Sequence, residues 1–106
     1  MGVVRILIVD DHNQFRAQLK ALLESVNEWE VCGEAQNGLE AVEMHCHVQP
    51  HVTVMDFSMP ELNGQLASRE ILRMSPHASI LVLNTFGSAQ LADRAKRERR
   101  YQRLLF

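Results

Sequence analysis

The stretch Val3-Val4-Arg5-Ile6-Leu7-Ile8-Val9-Asp10-Asp11, near the start of a 106-residue chain, is an apolar run that ends in two adjacent acids. It is too apolar for a half-exposed strand and fits a parallel sheet covered on both faces. Val52-Thr53-Val54-Met55-Asp56 repeats the arrangement with one terminal acid. If the two runs are neighbouring parallel strands, three carboxylates meet at their carboxyl ends. Open parallel sheets form their sites there.

Two carboxylates about 4 Å apart repel by roughly 4 kcal/mol at an effective dielectric near 20. Such a group must protonate, stay wet or hold a cation. Hard oxygen donors so arranged suit Mg2+, with a phosphate as a natural further ligand. Asp56 then reads as a nucleophile able to form an acyl phosphate, and Asp10 and Asp11 as holders of the metal.

Between these runs the patterns alternate. Phe15, Leu19, Leu22, Leu23 and Val26 recur at helical spacing, with Asn13 as the expected N-cap. Residues 30–35 read as a short strand, and Asn37-Gly38 as a turn. Leu39, Val42 and Cys46 predict a second helix with one narrow apolar stripe. Pro50 separates it from the strand ending at Asp56, and Pro60 and Gly64 punctuate the loop beyond. Ala67, Ile71 and Met74 predict a third helix stopped by Ser75-Pro76, and residues 79–83 a fourth strand. The order β-α-β-α-β-α-β predicts an α/β fold with a parallel sheet.

The length predicts one domain. Cys32 and Cys46 lie in apolar-patterned segments and read as buried, reduced thiols. With no transmembrane run and no signal peptide, this predicts a cytoplasmic protein without a membrane partner. Charge is uneven: residues 1–92 carry 5 basic and 11 acidic side chains, residues 93–106 carry 6 and 2. An acidic body thus precedes a basic tail, read as a helix over residues 88–103 with a poor core-facing stripe. His45-Cys46-His47 with His51 resembles a metal cluster. Adjacent helical residues diverge and Pro50 breaks the face, so they read as solvated helix-end side chains. His12, beside the acids, reads as a loop residue.

Ile8-Val9-Asp10-Asp11-His12, followed by Met55-Asp56-Phe57-Ser58-Met59-Pro60-Glu61-Leu62-Asn63-Gly64, resembles the receiver domain of bacterial two-component response regulators. Residues 30–38 resemble the subfamily whose members carry a helix-turn-helix output domain. The resemblance implies a flavodoxin-like (CheY-like) doubly wound parallel sheet, a receiver-domain core over residues 1–86 and an atypical basic segment over 87–106. It implies phosphotransfer from a sensor histidine kinase to Asp56, with Mg2+ held by Asp10, Asp11, Asp56 and the backbone carbonyl of Ser58. It implies no turnover of an external substrate, and contact with DNA only through an output domain.

The chain departs from the family pattern in three places. The Ser or Thr expected directly after the fourth strand is replaced by Asn84, with Thr85 one residue late. Both are candidate phosphoryl contacts. The family Lys at the end of the fifth strand falls on Phe106, although Leu104-Leu105 match that strand's apolar pair. The fifth strand and fifth helix are therefore expected to be absent or degenerate. That would expose a sheet edge and invite a homodimer through the edge or the C-terminal segment. The alternative function is a degenerate receiver acting as an interaction module without switching. A flavodoxin-type mononucleotide binder is disfavoured, since acids stand where a phosphate cradle needs glycine and backbone N–H groups.

Overall fold

Apolar runs without polar alternation become strands covered on both faces. The computed structural model describes residues 2–56, 63–83 and the strand at 103–105. The elements are β1 (Val4–Val9), α1 (Asn13–Glu24), β2 (Trp29–Ala35), α2 (Gly38–Val48), β3 (Val52–Asp56), α3 (Gly64–Met74), β4 (Ser79–Leu83) and β5 (Arg103–Leu105). The sheet order is β2-β1-β3-β4-β5, with every pairing parallel. This is the doubly wound arrangement, whose strand order reverses direction between β1 and β3.

Alternate residues of each strand serve opposite faces. Leu7, Val9, Met55, Ile80 and Val82 pack beneath α2 and α3, against Ala41, Ala67, Ile71 and Leu72. Ile6, Ile8 and Val54 form the other layer, with Leu19 and Leu23 of α1 against them. The face expected for α1 is only partly used: Leu22 is 66% and Val26 41% exposed. The stripe expected for α2 is also corrected. Leu39 and Cys46 are exposed, and the buried positions are Gly38, Ala41 and His45. Gly38 and Ala41 are small and let α2 sit close to the sheet, so bulk was a poor guide to its inner face. Cys32 and Cys46 are free thiols, but neither is fully buried. His45 is 6% exposed rather than solvated.

Asn37 is the N-cap of α2, its side chain accepting from the Glu40 N–H at 2.8 Å. Asn63 does the same for α3 through the Leu66 N–H at 3.0 Å. In both helices the next residue is glycine. Gln49 closes α2 in the left-handed region at φ 46°, just before Pro50. The β1–β2 register jumps one residue after the Ile6–Val31 pair, leaving Cys32 extra and setting Gly33 opposite Leu7. A Cβ on Gly33 would lie 3.2 Å from Met44 Cγ, so glycine admits the close approach of α2 there.

The fifth strand, expected to be absent or degenerate, is present in shortened form. Its three residues pair in register, Leu81 with Arg103, Val82 with Leu104 and Leu83 with Leu105. The edge of β4 is therefore covered over three residues, and β5 becomes the strand at that side of the sheet. Arg103, read as the end of a helix, begins this strand instead. The remainder of the expected 88–103 helix and the fifth helix lie outside the described residues.

Candidate functional site

Val9 pairs with Met55 across β1 and β3, so the following residues, Asp10 and Asp56, leave neighbouring strands side by side. Asp10 is 2% and Asp56 1% exposed. Asp11 is half-buried and His12 exposed at the rim. Asp10, Asp11, His12 and Asp56 each offer a donor atom, and these atoms all lie within 4.8 Å of one another. The three acids read from the sequence thus converge. Ser58, Asn84 and Thr85 lie outside the described residues.

The Asp10 segment is held by its surroundings. The Asp10 N–H donates to the Ala35 carbonyl at 3.0 Å, extending the β1–β2 ladder past the end of β1. Asp10 Oδ1 accepts from the His12 N–H at 2.7 Å, a local turn that Asp side chains favour. Arg16 fixes the same segment from α1. Its Nη1 donates to the Asp10 carbonyl at 2.7 Å, its Nη2 to Asn13 Oδ1 at 2.7 Å and its Nε to Glu34 Oε1 at 3.0 Å. Lys20 Nζ lies 3.6 Å from the other Glu34 oxygen.

Sequence reasoning missed Arg16 and Glu34. A charged residue inside an amphipathic helix leaves no periodic signal; only the spacing of Arg16 one turn after His12 hinted at the role. His12, not Asn13, is the N-cap of α1, and its side chain makes no capping bond. Its Nδ1 lies 3.3 Å from Asp10 Oδ1 and 3.1 Å from Asp11 Oδ1. His45, His47 and His51 form no comparable cluster of donors among the described residues. His51 Nδ1 instead accepts from the Arg5 N–H at 2.8 Å.

The donor set fits a hard divalent cation. Three carboxylates supply oxygen, and the Asp11 Oδ1 atom is buried without a hydrogen bond. A buried carboxylate oxygen left in that state is costly unless a cation meets it.

The family model described as the response regulator receiver domain matches residues 6–104. The chain belongs to that family. This receiver domain is 41% identical over 91 residues to chemotaxis protein CheY of Thermotoga maritima, covering 86% of the chain and 75% of that protein. It is 41% identical to protein-glutamate methylesterase/protein-glutamine glutaminase 3 of Paramagnetospirillum magneticum. That match covers 86% of the chain but only 25% of the larger protein. Among solved structures, a LuxR-family two-component response regulator from Aurantimonas sp. SI85-9A1 superposes with a TM-score of 0.90 at 28% identity. It covers 97% of the chain and 73% of that structure. Nothing in these likenesses favours the alternative of a non-switching interaction module. No helix among the described residues is long and apolar enough to cross a membrane.

Proposed function

We propose that this receiver domain accepts a phosphoryl group on Asp56 from a phosphohistidine of a sensor histidine kinase. The observation that carries the reading is the convergence of Asp10, Asp11 and Asp56 at the carboxyl ends of β1 and β3. An Asp56 carboxylate oxygen attacks phosphorus in line, a P–O bond forms, and the P–N bond to the donor imidazole breaks. The product is an acyl phosphate. Asp10, Asp11, Asp56 and the Ser58 backbone carbonyl are the proposed holders of Mg2+. Bound there, Mg2+ offsets the charge on the phosphoryl oxygens. Arg16 acts on placement, since it holds the backbone carbonyl of the Asp10 segment.

Asn84 and Thr85 are the proposed contacts to the phosphoryl oxygens. The displaced hydroxyl and the absence of the family Lys at Phe106 weaken the grip on that group. Losing one such contact typically costs a few kcal/mol of stabilisation. Slow phosphorylation and a small conformational response follow. We assign the chain to the cytoplasm, with no turnover of an external substrate and with DNA reached only through a helix-turn-helix output domain.

Intact-mass spectrometry with acetyl phosphate and Mg2+ tests this reading. One phosphoryl adduct is expected, lost on omission of Mg2+ and in Asp56→Ala. No adduct at saturating donor rejects it.

A further inference from the structure

The acids alone do not describe the donor set, because an imidazole stands among them. His12 Nδ1 lies 3.1 Å from Asp11 Oδ1 and 3.3 Å from Asp10 Oδ1. Adjacent ligands around an octahedral ion with bonds of about 2.1 Å are about 3.0 Å apart, and opposite ligands about 4.2 Å. The two His12 separations match adjacent positions, and the 4.8 Å span of all four donors exceeds the opposite-ligand distance by about 0.6 Å, a gap that a small inward shift of the side chains closes around one ion.

The backbone of His12 is fixed from two sides. Its N–H is bound to Asp10 Oδ1, and its carbonyl accepts from the Arg16 N–H at 2.9 Å. The side chain is not spent on capping α1. The imidazole is thus presented at the rim of the cluster on a fixed backbone, while Asp11 Oδ1 beside it lacks a hydrogen bond.

We propose that His12 is a fourth side-chain ligand of this metal site, giving a mixed nitrogen–oxygen pocket that binds Mn2+ in preference to Mg2+. The inference rests on the reading that the acid cluster holds a divalent cation. Carboxylate and water ligands suit Mg2+ and Mn2+ alike, whereas imidazole adds affinity along the first-row transition series. Mg2+ retains its water shell and draws little from a nitrogen donor.

Electron spin-echo spectroscopy of the Mn2+-loaded 106-residue chain, with Mn2+ and Mg2+ binding titrations, provides the test. Nitrogen modulation of the Mn2+ signal is expected. It should vanish in His12→Phe while Mn2+ still binds about tenfold more weakly, the scale on which loss of a metal-site partner is felt. Mg2+ affinity should change less than about twofold. His12→Asn, which retains a polar side chain at the helix N-cap, should behave in the same way and guards against misfolding of the Phe variant. Mn2+ binding without nitrogen modulation, or modulation that persists in both variants, overturns the role of His12 alone and leaves an imidazole–carboxylate ion pair. Failure of the wild-type chain to bind either ion overturns this inference and the metal reading beneath it.

Discussion

Asp11 is the residue at which the conflict between folding and function is most visible. Its Oδ1 is buried without a hydrogen bond, in a cluster that already holds Asp10 and Asp56. Neutralising it should relieve like-charge repulsion. Asp11→Asn is expected to raise the stability of the metal-free protein by on the order of 1 kcal/mol. It should also abolish the stabilisation that Mg2+ gives the wild type. Denaturant melts with and without Mg2+ measure both effects, and a variant less stable than wild type without metal contradicts the argument. The three acids were legible in the sequence because each closes an apolar run. His12 was not, because a polar residue after a strand looks the same whether it lines a loop or completes a donor set.

At the scale of elements, the acid loop depends on α1 more than on its own turn. Arg16 ties the Asp10 carbonyl, Asn13 and Glu34 together with three side-chain hydrogen bonds. Hydrogen bonds involving charged groups contribute about 1.5–3 kcal/mol each, and those here share one side chain that is largely sheltered. Arg16→Ala is therefore expected to cost about 2–3 kcal/mol. It should also weaken Mg2+ binding without removing any ligand. Chemical denaturation and a Mg2+ titration on the same variant check the pair of effects; a stability loss with unchanged affinity would separate the helix from the site. The elements themselves were well foreseen, since strand runs and helix stops are written in local chemistry. The inner face of α2 was not, because its buried positions are Gly38, Ala41 and His45 rather than Leu39 and Cys46. Close helix–sheet approach selects for small residues, and hydrophobic spacing does not register that preference.

At the scale of the whole molecule, the two ends of the sheet are chemically different. The carboxyl ends hold the acids. The other end holds His45 in a cavity of about 350 Å3, bordered by Pro50, Pro76 and His77. Burial lowers the pKa of His45 from its ordinary value of 6.5. The unfolded chain then binds the proton more readily than the folded one. Stability from this source is complete above about pH 6.5 and declines as the pH falls toward the lower folded value. In His45→Leu that part of the pH dependence should disappear, as read from denaturation midpoints across pH 5–7.5. Equal slopes in the two proteins would show that other groups govern the acid limb. The parallel α/β sheet was legible from the alternation of patterns and its doubly wound order from the motif resemblance, which also set Leu104-Leu105 at the place of a degenerate fifth strand. The 88–103 helix reading ran one residue into that strand, since Arg103 pairs with Leu81 of β4.

The central position of β1 also affects how the protein reaches its native state. β1 pairs with β3 while β2, which lies between them in sequence, is sent to the other side. Asp10 and Asp56 can meet only when that long segment has looped out and returned. Such non-local closure is entropically slow compared with forming the local helices. The proposed cation site is therefore complete only once β1 and β3 have paired, the most sequence-distant strand pairing among the described residues, and helix content does not report that step.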